Sequence, residues 1–267
     1  MTRIALGIEY DGTEYVGWQR QNSGIGVQQR LEEAIATVAN EDVKVICAGR
    51  TDAGVHAVGQ VAHFDSNVDR SMRGWLLGIN SNLPDDINVT FATSVDSEFH
   101  ARFSAESRTY HYLILNRLVR SSLFRRRAWW IHESLDEGSM HQASQHLLGE
   151  HDFSAFRAAG CHASTPIRNI NGISVERSDF WLRLSVTANA FLQHMVRNIA
   201  GTLVCVGTGE QKVEWVKEIL ASQDRTASGV AAPPHGLTFM SVSYPDGTGV
   251  PPANADSSVI KVYDSRL

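Results

Sequence analysis

Apolar and polar positions alternate from the start of the chain. Ile4, Leu6, Ile8 and Tyr10 predict a strand that runs into the turn Asp11-Gly12-Thr13. Val27, Leu31, Ala34, Ile35 and Val38 recur at helical spacing and predict an amphipathic helix. Two short β-rich runs, 43–48 and 59–65, flank the segment Gly49-Arg50-Thr51-Asp52-Ala53-Gly54-Val55-His56. Met72, Trp75, Leu76 and Ile79 predict a second helix, stopped near Pro84, and residues 87–95 a closing strand. The order is β-α-β-β-α-β.

The second half repeats that order with insertions. Residues 106–115 predict a strand with Tyr110, Tyr112 and Ile114 on one face, followed by a long arginine-rich connection and a helix over 136–148. Strands over 167–177 and 180–188 flank a turn at Ser178-Asp179. Phe191, Met195, Ile199 and Leu203, four residues apart, predict a buried helix. A further helix over 213–221 precedes a last strand over 237–244. The pattern is that of an α+β protein made of two ferredoxin-like (RRM-like) halves with antiparallel sheets. The expected domains are 1–103, 104–245 and a tail, 246–267, in which 259–263 is a weak candidate for an edge strand. RNA-recognition domains share this topology, but the topology hosts many functions.

Composition narrows the class. In 267 residues, 43% are hydrophobic and 20% charged, the balance of a globular protein. No run approaches the ~18 apolar residues of a membrane span, and the opening residues lack a signal-peptide layout, so a cytoplasmic protein without membrane association is expected. Cys47, Cys161 and Cys205 form no C-x-x-C pair, which argues against a disulfide framework or structural zinc. The net charge of -5 does not by itself suggest nucleic acid. Its distribution does: from His100 to Trp130 there are seven arginines and one acid, Glu106, beside Trp129 and Trp130. Guanidinium groups interleaved with aromatics suit RNA phosphates and bases.

The most informative stretch chemically is the glycine-bordered segment, with a carboxylate, a guanidinium and an imidazole within seven positions. It reads either as a hairpin loop in which Asp52 caps a turn and pairs with Arg50, or as the presentation of a reactive acid. There is no phosphate loop, nucleophile elbow or H-E-x-x-H pair, and no metal is expected. His141, His146 and His151 step by five residues onto different helical faces, while His194 beside an apolar stripe fits a core histidine. Carboxylate, phenol and guanidinium remain as the available chemistry.

The segment Gly49-Arg50-Thr51-Asp52-Ala53-Gly54-Val55-His56-Ala57 resembles the signature of tRNA pseudouridine synthases of the TruA family. Tyr10-Asp11-Gly12-Thr13, Gly17-Trp18-Gln19-Arg20-Gln21, Phe99-His100-Ala101-Arg102-Phe103-Ser104-Ala105 and Arg108-Thr109-Tyr110-His111-Tyr112 are similar to further motifs of that family. So are His151-Asp152-Phe153-Ser154-Ala155-Phe156, Phe191-Leu192-Gln193-His194-Met195-Val196-Arg197-Asn198-Ile199 and the ending from Gly236-Leu237 to Tyr244-Pro245. The resemblance runs in order over about 4–245.

It implies a cofactor-independent isomerase that converts uridine to pseudouridine in the anticodon stem-loop of tRNA, at the positions conventionally numbered 38, 39 and 40. The glycosidic bond breaks, the uracil turns, and the ring rejoins the ribose through carbon 5. It also implies a central catalytic cleft and a homodimer that grips tRNA. Asp52 is then the essential carboxylate, either attacking C1′ or taking a proton from C2′; an ordinary aspartate pKa of about 3.9 keeps it ionised at neutral pH. Arg197 is its cationic neighbour. Tyr110 stacks on the target uracil and helps remove the C5 proton. Arg50, Phe99, His100, Arg102, Phe103, Cys161, His162 and Ser164 match RNA-contacting positions, and Arg125, Arg126 and Arg127 form a weaker basic candidate. Two segments depart from the family pattern: Ser164 stands where some relatives carry a basic residue, and Val230 lies in a usually proline-containing approach to the last strand. Two rivals are a catalytically silent RNA-binding protein on the same scaffold and a hydrolase using Asp52 with His56.

Overall fold

The computed structural model describes residues 1–161 and 163–252. His162 and most of the tail, including 259–263, lie outside the described residues. The chain is of mixed α+β class, with mostly antiparallel strands, and divides into two compact units inside a strand, between Arg108 and Thr109. Of the described residues, the first unit holds 1–108 and 239–252, and the second runs from Thr109 to Thr238.

In the first unit the order is β1 (Thr2–Tyr10), α1 (Val27–Ala39), β2 (Ile46–Cys47), β3 (His56–Ser66), α2 (Met72–Asn80) and β4 (Ile87–Val95). Strands lie in the order β4-β1-β3, with β2 on β3. β1 is antiparallel to both neighbours, with Leu6 opposite Ala62 and Ala92. Ile4, Leu6 and Ile8 are buried, as the alternation predicted. Val27, Leu31, Ala34 and Ile35 form the buried stripe of α1. The Ser71 hydroxyl accepts from the Gly74 N–H and starts α2, whose Trp75 packs edge-on against Phe64 at 5.3 Å.

The run 43–48 is a strand only at Ile46 and Cys47. Side chains of α1 replace the ladder at Val45: its N–H donates to Glu32 Oε1 (3.1 Å) and its carbonyl accepts from Gln28 Nε2 (3.2 Å).

The second unit contains β5 (Ser107–Asn116) from Thr109 on, β6 (Trp129–Ile131), α3 (Glu137–Ser144), β7 (Gly149–Asp152), β8 (Ile167–Ser178), β9 (Trp181–Ala188), α4 (Met195–Gly207) and α5 (Trp215–Ser222). Its strands lie in the order β5-β9-β8-β7, and β6 is parallel to β5. β6 and β7, of three and four residues, are too short to leave an alternation in sequence. α4 is buried nearly all round. It begins at Met195 rather than at Phe191, because His194 takes a left-handed φ of 62° at the N-cap. β10 (Leu237–Ser243) returns to the first unit, where the β3 residue Gly59 lies so close that a Cβ would meet the Met240 carbonyl at 2.2 Å.

Candidate active site

Asp52 sits in the turn between β2 and β3. Its half-buried position is the product of a loop braced on every side. The buried Gln60 carboxamide donates from Nε2 to the Gly49 carbonyl (2.6 Å) and accepts the Gly49 N–H (3.3 Å). Tyr10 and Thr51 share a buried hydroxyl hydrogen bond of 2.7 Å. From the opening segment, Trp18 N–H donates to the Thr51 carbonyl (3.0 Å) and the Tyr15 carbonyl accepts from Gly54 (3.3 Å). Val55 N–H closes the turn onto the Asp52 carbonyl (3.2 Å).

Two glycines make this approach possible. A Cβ at Gly12 would lie 1.9 Å from the Val55 carbonyl oxygen. Gly17, with φ of +107°, bridges to Asp52 in a region that side-chain-bearing residues rarely adopt. The opening motifs therefore shape the acidic loop.

His56 closes the far end. It is buried, accepts the Gly12 N–H at Nδ1 (3.1 Å), and holds the same nitrogen 3.0 Å from Asp11 Oδ1. Asp11 Oδ1 also accepts from the Thr13 N–H and hydroxyl, which caps the short turn over Gly12–Glu14. Cys47, beside the loop, is buried, and burial pushes its thiol up to about 12 against the opposing pull of Arg50 and Arg102. It is a neutral packing residue at physiological pH, not a nucleophile.

The segment 97–105 is the second feature of this unit. Arg3 donates from Nη1 to the Phe99 carbonyl (2.8 Å) and also bonds the Ser97 carbonyl. Tyr244 Oη donates to the Ala101 carbonyl (2.7 Å), and Ala101 N–H donates to His63 Nδ1 (3.1 Å). Phe99 is buried against Tyr244, with ring centroids 5.0 Å apart. The backbone so fixed turns other side chains outward. Phe103 is 74% exposed, lies stacked on His100 at 4.3 Å, and has the Arg102 guanidinium 5.5 Å from its ring centroid. Arg50 is also exposed. Burial and the Arg3 charge lower the pKa of His100, and burial, Arg3 and His100 bring His63 down to about 4. Both imidazoles are neutral at pH 7.

Tyr110 and Arg197 belong to the second unit. Tyr110 lies on the inward parity of β5, 7% exposed, edge-on to Phe191 at 5.0 Å and 82°. Arg197 occupies the first turn of α4. Its Nε donates to the Ala232 carbonyl (2.8 Å), and its own carbonyl accepts the Ala232 N–H (3.0 Å). This double tie requires the segment around 230 to lie on the helix: a Cβ at Gly201 would meet the Val230 carbonyl at 1.8 Å. Tyr112 donates to the adjacent Pro233 carbonyl (2.7 Å). Burial raises the Tyr112 phenol well above its ordinary pKa, with Arg197 opposing. The fully buried Asn198 donates to the Phe156 carbonyl (2.6 Å) and accepts from Arg225 (3.1 Å). The Phe153-to-Phe156 motif is thus a support for α4.

The remaining candidates fall in two further segments of the chain. Cys161 is half-buried in a turn closed by its N–H on the Ala158 carbonyl (3.1 Å), Ser164 is exposed, and His162 lies outside the described residues. Arg125, Arg126 and Arg127 are exposed, whereas Trp129 is edge-on to Tyr112 and Trp130 Nε1 donates to the Arg117 carbonyl (2.9 Å). Trp129 is half-buried and Trp130 exposed. Among the described residues no cluster of three or more His, Cys, Asp or Glu is arranged to hold a metal ion, and no helix is long and apolar enough to cross a membrane.

Sequence reading missed Gln60, His63, Arg108 and Tyr244 as supports. Gln60 and His63 carried a usable signal: both are polar residues inside the apolar run of a buried strand, where each needs a hydrogen-bond partner.

A family model described as tRNA pseudouridine synthase matches residues 7–104 and 143–245. The matched residues include Asp52 and Arg197, while Tyr110 falls between the two matched segments. The chain is 52% identical over 249 residues to tRNA pseudouridine synthase A of Pseudoalteromonas atlantica, covering 93% of this chain and 95% of that one. It is 53% identical over 249 residues to the protein of the same name from Aeromonas hydrophila, covering 93% of each. With that of Vibrio campbellii it shares 51% identity, covering 93% of this chain and 94% of the other. A braced acidic loop, a buried tyrosine, a helix-borne arginine and likeness over nearly the full length agree: the chain belongs to the tRNA pseudouridine synthase family.

Proposed function

We propose that the protein isomerises uridine to pseudouridine in the anticodon stem-loop of tRNA, at positions 38, 39 and 40, without a cofactor. The observation that carries this reading is the Asp52 loop, whose bracing by Tyr10, Trp18, Gln60 and Gly12 presents one carboxylate in a fixed place. In the proposed reaction Asp52 either attacks the ribose C1′ or removes the C2′ proton. The C1′–N1 bond breaks, uracil turns, C1′ bonds to C5, and the C5 proton leaves. Arg197 is the cation that keeps Asp52 ionised, and at ~4 Å and an effective dielectric of ~20 such a pair attracts by roughly 4 kcal/mol. Tyr110 stacks on the extruded base and helps remove the C5 proton. Extrusion costs a few kcal/mol, which stacking and phosphate contacts offset.

Arg50, Phe99, His100, Arg102, Phe103, Cys161, His162 and Ser164 form the proposed RNA contacts. The exposed stack of His100, Phe103 and Arg102 supports that assignment, because it offers a π-face beside a cation. The same reading takes 1–103 and 104–245 as ferredoxin-like domains around a catalytic cleft, in a cytoplasmic homodimer. The strand order β4-β1-β3-β2 with two helices supports it for the first domain.

The test is incubation with unmodified tRNA and chemical mapping of pseudouridine. The expected result is product in the anticodon stem-loop with no change in RNA mass. Strand or base release would favour a hydrolase, and binding without product a silent RNA-binding protein.

A further inference from the structure

We propose that Arg108 is a positioning residue that holds the loop of His100, Arg102 and Phe103 in register with the loop of Asp52 during turnover. The inference rests on the isomerase reading above. Arg108 is the second residue of β5 and the last of the first unit, with 8% of its surface exposed. Its Nη2 donates to the Ala48 carbonyl (3.1 Å) and to the Arg102 carbonyl, and its Nη1 donates to the Ala105 carbonyl (3.2 Å).

These acceptors lie on the two segments that matter. Ala48 is the last residue before the glycine-bordered loop; its N–H is fixed on the Val61 carbonyl (2.8 Å), and Gln60 fixes Gly49 beside it. Arg102 and Ala105 belong to the segment that displays the exposed stack. Each segment has supports of its own: Tyr10, Trp18 and Gln60 on one side, Arg3, His63 and Tyr244 on the other. The Arg108 side chain reaches both. A planar guanidinium can donate in several fixed directions at once, which an ammonium on a flexible stem cannot reproduce. Its loss leaves two formed loops whose separation is no longer set.

That arrangement predicts a particular kinetic signature. RNA held by the His100 stack still binds, but its target sugar is displaced from Asp52, and a misplacement near 1 Å costs about 10²-fold in rate. The test compares wild type with Arg108→Lys and Arg108→Met, using saturating enzyme and single turnover of tRNA, with binding measured separately. The expected result is a maximal rate at least about tenfold lower for both variants, with the tRNA Kd within about threefold of wild type. A purely structural role would lower the melting temperature and the active fraction but leave the rate of the titrated active fraction unchanged.

A double-mutant cycle adds an independent readout. If Arg108 acts through the Arg102 segment, Arg108→Met costs much less in an Arg102→Ala background than in wild type. Rates of Arg108→Lys within twofold of wild type, or full additivity with Arg102→Ala, overturn the proposal. Should Arg108→Met fail to fold, Arg108→Lys, which keeps the charge, carries both comparisons. Wild type is the control that separates the two claims: no pseudouridine from it refutes the isomerase reading itself.

Discussion

Asp52 is one carboxylate among 29 acidic residues, and its chemistry depends on placement. Replacing it with asparagine keeps the shape of the braced loop and removes the charge. Asp52→Asn is expected to lower pseudouridine formation by at least about 10²-fold, the lower end of what a positioned proton-transfer group supplies. Binding should persist, as checked by gel shift against mapped product; appreciable turnover would overturn the assignment. Tyr110→Phe keeps the edge-on contact with Phe191 and the stacking face but loses the phenol. Its tRNA affinity should hold while turnover slows, and full activity would remove the proton-transfer role.

At this scale the reactive residue types were readable from the chain, because acid, phenol and guanidinium sit in short motifs. Their supports were not. Gln60 bonds a glycine eleven residues away, and Tyr244 reaches Ala101 across 143 positions, pairings that no local pattern encodes. Asn198 is another such case, joining the Phe156 carbonyl, 42 positions away, to Arg225.

Among the elements, the long ones were legible. α1 and α2 follow their periodicities because each buries one stripe, and β1 shows through its large apolar residues although both of its faces are buried from Ile4 to Ile8. The short ones were not: β2 shrinks to two residues where Glu32 and Gln28 take over the backbone of Val45, and β6 and β7 depend on partner strands.

The contact between the opening segment and the acidic loop makes a further prediction. Gly12→Ala must push a Cβ into the Val55 carbonyl, so destabilisation of about 1–3 kcal/mol is expected from overpacking. Its activity should fall more than its stability. Gly172→Ala, where a Cβ would meet nothing within 4 Å, is the control and should stay within about 0.5 kcal/mol. Urea midpoints of the two variants check both.

The 97–105 segment has a pH dependence of its own. His63 accepts the Ala101 N–H in its neutral form, and its pKa falls from 6.5 to about 4 in the folded state. Between those two values the unfolded chain binds the extra proton, so the stability contributed here is complete above 6.5 and is lost as pH falls towards 4. Arg3 and His100 disfavour protonation and Asp65 favours it, with burial the largest influence. His63→Gln, which keeps an acceptor but does not titrate, should show a smaller loss of urea midpoint between pH 7 and pH 4.5 than wild type.

For the whole molecule, the net charge of -5 conceals an uneven distribution. Arg102, Arg125, Arg126 and Arg127 are exposed within a single stretch of sequence. If they meet phosphates, tRNA affinity should fall linearly with salt on a double-logarithmic plot, by close to one unit of slope per phosphate neutralised. Arg102→Ala should reduce that slope by about one. A salt-insensitive affinity would rule out the arginine surface as the docking site.

The chain order of the supports has a consequence for synthesis. Every brace named for the Asp52 loop itself, from Tyr10 to Gln60, lies within the first 60 residues, so that loop can take shape while the ribosome is still making the rest. The neighbouring segment waits for Tyr244, which is made 143 residues after Ala101. A nascent chain therefore owns its acid long before it owns a finished grip on RNA, and a product cut short before Phe239 would carry the first without the second.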